Sequence, residues 1–174
     1  ACFLSHRKAW RHIVENNIEA ALVLEDDANI LDPAFSNSIS LALKNINSGD
    51  FIRFPVKNRE EPRRIISERF GSILFEPKEI KLGMVAQIIT QDAARSLLEA
   101  TLNIDRPVDC FLQMRWIHNV SVLSVWPSGI EEVSSTLGGS MINYKISGFG
   151  KLRREIMRPI YRRKISKLSK NSQL

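Results

Sequence analysis

The stretch Ala21-Leu22-Val23-Leu24-Glu25-Asp26-Asp27 decides how the rest of this chain is read. A short apolar run predicts a buried strand, and three carboxylates follow it without a break. Strands of a covered parallel sheet are apolar along their length, and ligands bind just beyond their carboxyl ends. Three adjacent acids there repel one another unless positive charge shares the site. A divalent cation carrying a phosphorylated ligand would supply that charge. A solvated acidic turn leading into the next helix is the plainer alternative, and the motif alone does not choose between them.

Outward from this stretch the chain alternates between helical and extended patterns. Upstream, residues 5–16 predict a helix with Ser5 as its N-cap and Ala9, Trp10, Ile13 and Val14 on one face. Downstream, Asp32-Pro33 opens a second helix, whose apolar stripe is Phe35, Ile39, Ala42, Leu43 and Ile46. Residues 50–54 read as a strand, 55–64 as a charged mobile loop, and 64–68 with 72–76 as a hairpin turning at Gly71. Residues 83–90 form a further strand that passes into a helix capped by Thr90 or Asp92. A short helix over 108–115 and a strand over 120–125 complete the pattern. The expected class is an α/β sandwich with a mixed, mainly parallel sheet.

Composition sets outer bounds. At 174 residues, 44% hydrophobic and 25% charged, the chain has the size and make-up of one globular domain. It holds no run of 18 apolar residues, and no secretory signal pattern is visible at its start. Two cysteines, Cys2 and Cys110, make no disulfide framework, so a reducing cytoplasm is the expected setting. The net charge of +6 is unevenly spread: residues 151–174 carry nine Lys or Arg against one acid, Glu155. The other 150 residues carry 16 bases and 18 acids, so the body is slightly acidic and the basic excess belongs to the tail. Within that tail Leu152, Ile156, Ile160 and Tyr161 fall at helical spacing, interrupted by Pro159. A basic amphipathic stretch of this kind suits an anionic membrane surface. A nucleic-acid-binding role for the tail has no support in the body, which lacks a basic and aromatic recognition pattern.

One ordered set of motifs goes further. Cys2-Phe3-Leu4-Ser5-His6, then Trp10, then Leu22-Val23-Leu24-Glu25-Asp26-Asp27 resembles glycosyltransferase family 25, which includes the lipooligosaccharide galactosyltransferases of Gram-negative bacteria. The resemblance continues through Gly83–Thr90, Ala93–Leu98, Pro107-Val108-Asp109 and Ser135-Thr136, in the family's order. It implies a nucleotide-sugar (GT-A, Rossmann-like) fold, with residues 1–140 as the transferase domain and 141–174 as the basic tail. Family members usually begin with a further strand and helix, so the domain is expected to be N-terminally incomplete. Without that unit the sheet would have an unpaired edge, and the uracil side of the nucleotide pocket would be incomplete. An inactive truncated paralogue is the alternative that this leaves open.

The resemblance also implies a chemistry. Glu25, Asp26 and Asp27 match a variant of the Asp-x-Asp signature of metal-dependent sugar transferases. A bound Mn²⁺ or Mg²⁺ there neutralises the diphosphate leaving a UDP-sugar donor. Two carboxylates one residue apart on an extended chain project to the same side, which pairs Glu25 with Asp27 as metal ligands. Asp26 faces the other way, toward a ribose hydroxyl or the following loop. Ser5 and His6 sit where the family places its Ser-His pair, near nucleotide or metal; by themselves they read as a cap and a surface residue. Asp109 is the candidate catalytic base for the acceptor hydroxyl, or else the cap of its own short helix. Met84 and Gln87 depart from the family's Gly-Thr-x-Ala-Tyr-x-Ile-Ser pattern. The expected partners are a UDP-hexose donor, a saccharide of a lipid-linked acceptor and the inner face of the bacterial inner membrane, with no nucleic acid.

Overall fold

Phe3, His6, Trp10 and Ile13 recur at intervals of three and four, and they form the buried stripe of the first helix, α1 (Cys2–Glu15). The computed structural model describes residues 2–133 together with 163–165 and 167–168. After α1 come β1 (Ala20–Leu24), β2 (Ala28–Ile30), α2 (Ala34–Asn45), β3 (Asp50–Arg53), β4 (Pro62–Arg69) and β5 (Ser72–Pro77). They are followed by β6 (Ala86–Thr90), α3 (Gln91–Ala100), α4 (Val108–Leu112), β7 (Ser121–Trp126) and β8 (Ile130–Glu132).

Six strands form one sheet in the order β1-β6-β3-β7-β5-β4, and β2 pairs with β8 in a separate two-stranded ribbon. The α/β class and the mixed sheet are as expected. The balance of pairings differs: β3 and β7 run parallel, while the other four neighbouring pairs are antiparallel. The reason lies in β6, which inserts between β1 and β3 in the opposite direction. All five of its residues are buried, so its apolar run looks like that of a parallel strand.

The pleat sorts neighbouring residues onto two cores. Phe51, Ile89 and Val122 face α1, α3 and α4, where they meet Phe3, Trp10, Leu97 and Phe111. Ile52, Ile88 and Leu123 face α2 and its Phe35, Leu41 and Ala42. Phe3 packs edge-on against both Trp10 and Phe111, with centroids 6.1 and 6.2 Å away. That contact draws Cys2, Phe3 and Leu4 into α1. Ser5 is therefore an exposed residue inside the helix and not its N-cap. In α2 the buried face is Phe35, Ser38, Leu41 and Ala42, whereas Leu43 is exposed. Residues 83–85 lie outside β6, and Thr90 caps α3 by accepting from the Ala93 amide at 3.4 Å.

β1 is an edge strand of the sheet, and its Leu22 and Leu24 are exposed. Neither Cys2 nor Cys110 is in a disulfide among the described residues. No helix among the described residues is long and apolar enough to cross a membrane. Most of the basic tail lies outside the described residues, and the membrane-surface expectation falls there. Residues 163–165 have helical backbone, and Ile165 is buried.

Candidate active site

Because β1 and β3 each pair antiparallel with β6, and β7 is parallel to β3, three strands end on the same rim. This is the edge of an α/β sheet where ligands collect. Glu25-Asp26-Asp27 follows β1 there, Phe54–Arg59 follows β3, and Pro127 follows β7. The Glu25 amide continues the ladder by donating to the Val85 carbonyl at 2.8 Å. At that point the chain turns: the Ala28 amide donates to the Glu25 carbonyl at 3.1 Å, and Asp26 and Asp27 occupy the turn.

The extended geometry expected for Glu25 and Asp27 is therefore replaced by a turn, and the two side chains have different surroundings. Glu25 points its Oε1 toward α1, 3.2 Å from His6 Nε2 and 3.6 Å from Cys2 Sγ. Asp27 is half-buried, and its Oδ1 is shut off from solvent without a hydrogen-bond partner. Burial raises the Asp27 pKa, and the charges of Glu25 and Glu132 push it further in the same direction. Asp26 is exposed. The ribbon holds the turn from the far side, since the Val133 amide donates to the Asp27 carbonyl at 3.0 Å.

His6 is almost fully buried beneath this rim, contrary to a surface placement. Its ring packs 6.2 Å from that of Trp10. Its Nδ1 is 3.5 Å from the amide nitrogen of Gln87, and the Gln87 Oε1 is buried without a partner. Sequence reasoning missed Gln87 as part of the site. Its one signal was the departure from the family's aromatic at that position, and the residue stands on the inner face of β6 between Val23 and Arg53.

The Asp109 carboxylate accepts from the Cys110 amide at 2.8 Å, in the first turn of α4. Its charge also reaches Cys2. The Cys2 thiol is pushed up to about 11, first by burial, then by Glu25 as neighbouring charge and hydrogen-bond partner, then by Asp109. His6, Glu25, Cys2 and Asp109 thus belong to one neighbourhood, although they come from α1, the acidic turn and α4.

Beside the acidic turn lies an open cleft. Lys57, Arg59 and Lys81 supply cations to its lining, and Glu132 joins it to the acidic turn. Its base is a buried ion pair between Arg53 Nη1 and Glu60 Oε1. Arg53 also donates to the carbonyls of Lys81 and Gly83, at 2.7 and 2.9 Å. Glu60 accepts from the Lys81 amide at 2.7 Å and from Ser124 Oγ at 2.5 Å. The loop after β3, expected to be mobile, is anchored at Glu60.

A carboxylate-bearing turn thus stands beside a cation-lined cleft at the carboxyl rim of an α/β sheet, the place where such sheets bind their ligands. Residues 1–112 match the model of glycosyltransferase family 25, described as LPS biosynthesis proteins, and the chain belongs to that family. The match runs from α1 to the last residue of α4, so it takes in Cys2, His6, the acidic turn, Gln87 and Asp109. No curated protein matches the chain.

Proposed function

We propose that the chain is a metal-dependent, inverting glycosyltransferase. It moves a hexose, galactose from UDP-galactose, onto a saccharide of a lipopolysaccharide or lipooligosaccharide acceptor at the cytoplasmic face of the membrane. The observation that carries this reading is the buried, unpartnered Asp27 Oδ1, crowded by Glu25 and Glu132 beside a basic cleft. Crowded carboxylate oxygens suit a hard divalent cation such as Mn²⁺ or Mg²⁺. A cation held there neutralises charge developing on a leaving diphosphate.

The protein's own groups divide the remaining work. Lys57, Arg59 and Lys81 place positive charge where the diphosphate would lie, and this favours the departing UDP more than the bound donor. Asp27 is the principal metal ligand in this reading, with Glu25 contributing charge and Asp26 free to meet a ribose hydroxyl. Asp109 removes the proton from the attacking acceptor hydroxyl as the bond to the anomeric carbon forms. In this reading His6 holds Glu25 from beneath, and Ser5, exposed on α1, is left for the nucleotide side. The basic tail keeps the enzyme near a lipid-linked acceptor, each cation contributing about 1 kcal/mol close to an anionic surface.

The deciding experiment measures UDP release from UDP-galactose with and without Mn²⁺, in the presence of a deacylated core oligosaccharide. Release that depends on Mn²⁺ and disappears in Asp27→Ala is expected. Turnover unchanged in Asp27→Ala overturns the assignment of that residue. A folded protein that neither binds nor cleaves UDP-sugar overturns the reading.

A further inference from the structure

Three donor atoms of different character converge at the start of α1: Cys2 Sγ, His6 Nε2 and Glu25 Oε1 all lie within 4.8 Å of one another. Cys2 and His6 are one helical turn apart on the same face, and Glu25 meets them from the end of β1. The two spacings to Glu25 Oε1 are those of a coordination tetrahedron. Zinc–sulfur, zinc–nitrogen and zinc–oxygen bonds of about 2.3, 2.0 and 2.0 Å place sulfur and oxygen ligands about 3.5 Å apart, and nitrogen and oxygen ligands about 3.3 Å apart. The observed separations are 3.6 Å from Sγ to Oε1 and 3.2 Å from Nε2 to Oε1.

A second observation comes from beneath the imidazole. Gln87 is fully buried, its Oε1 has no partner, and its amide faces His6 Nδ1 at 3.5 Å. The amide can present either edge to the ring. With the oxygen turned to Nδ1, the orphaned acceptor takes a hydrogen bond from Nδ1–H, and Nε2 is left with its lone pair directed at Cys2 and Glu25. A carbonyl behind the imidazole is how proteins fix a ligating histidine's tautomer and raise its basicity.

We propose that Cys2, His6 and Glu25 form a three-ligand site for a borderline-soft divalent cation of the zinc type, distinct from the hard-cation role of Asp27. Cys2 is exposed, so the fourth position opens to solvent. Binding forms one metal–sulfur, one metal–nitrogen and one metal–oxygen bond, and the thiol proton passes to the buffer. A thiolate ligand selects against Mg²⁺ and Mn²⁺, which separates this site from the proposed donor-sugar chemistry.

Cobalt(II) titration of the purified chain tests the site, because a thiolate bound to cobalt absorbs by charge transfer in the near ultraviolet. We expect that absorption at one cobalt per chain, reversed by Zn²⁺ and missing in Cys2→Ser, an exposed substitution that leaves the core untouched. His6→Gln should weaken binding at least tenfold, and Gln87→Leu about 10–100-fold as the loss of a ligand-orienting partner. Asp27→Ala should leave the cobalt absorption in place whether or not it abolishes sugar transfer, so failure of either reading is told from failure of the other. Absence of the absorption, its persistence in Cys2→Ser, or its loss in Asp27→Ala overturns the proposal.

Discussion

Arg53 and Glu60 form an ion pair inside the protein, with the residues 3% and 6% exposed, and each also holds the loop at Lys81. Removing one member strands the other charge in a poorly solvated place. Arg53→Met should therefore cost about 3–5 kcal/mol of folding stability. Arg53→Met combined with Glu60→Leu should recover a large part of that loss. Urea unfolding of the two variants checks the order, and a double variant weaker than the single one contradicts it.

Asp27 should reveal a conflict between stability and function. Its pKa is raised, so the folded state disfavours its charged form, and that penalty operates at every pH above the raised value. In EDTA at neutral pH, Asp27→Asn should melt higher than the natural protein while losing Mn²⁺-dependent UDP binding. A lower melting temperature would show that the carboxylate has a stabilising partner.

His118 predicts an acid-side weakness. Burial lowers its pKa, and Arg115 nearby adds to that, against the opposing effect of the Leu112 carbonyl that accepts from Nε2. Its Nδ1 is buried without a partner, so a second proton would have nothing to meet. The unfolded chain takes up that proton as pH falls through about 6.5 and the folded one resists it, so stability drops below that pH. Melting temperatures from pH 7.5 to 5 should fall less steeply in His118→Gln than in the natural chain.

Gly129 holds a backbone conformation with φ of +70°, and a Cβ there would lie 2.2 Å from the Phe35 amide nitrogen. The Gly129 carbonyl also accepts from the Leu31 amide at 2.9 Å, which ties the segment after β7 to the chain entering α2. Gly129→Ala combines a strained φ with overlap against backbone that cannot rotate away. A loss of about 1–3 kcal/mol is expected, read from denaturant midpoints.

Thr90 serves two elements at once. Its hydroxyl donates to the Asp50 carbonyl at 3.1 Å and accepts from the Ala93 amide at the start of α3. Thr90→Val keeps the shape and removes both bonds, for an expected loss of about 1–2 kcal/mol. A fully stable valine variant would show that neither bond contributes.

Much of this architecture was legible in the residues. The strand before the acids, the helix opening at Asp32-Pro33, the hairpin around Gly71 and the Thr90 cap each follow from local periodicity or turn chemistry, which act over a few residues. Strand direction does not: β6 is buried on both faces, and its burial pattern is the same whichever way its neighbours run. The ribbon of β2 and β8 spans three residues on each side, too few for any alternation to register. Ser5 lost its capping position because Phe3 gains an aromatic partner on either side, a contact between distant segments. At the site, the family pattern singled out the acids and Asp109 as candidates, and the turn that separates Glu25 from Asp27 was not foreseen because it depends on backbone bonds to neighbouring segments. Gln87 stood out as an exchange, but its significance depends on His6, 81 positions away in the chain.

The clasp at Val133 bears on how the protein comes into being. Asp27 is steadied by an amide that leaves the ribosome more than a hundred residues after it, and β2 waits just as long for β8. Segments closed by such distant contacts are ordered late. The acidic turn therefore acquires its clasp only once the chain has been made as far as Val133, long after the strand that leads into it.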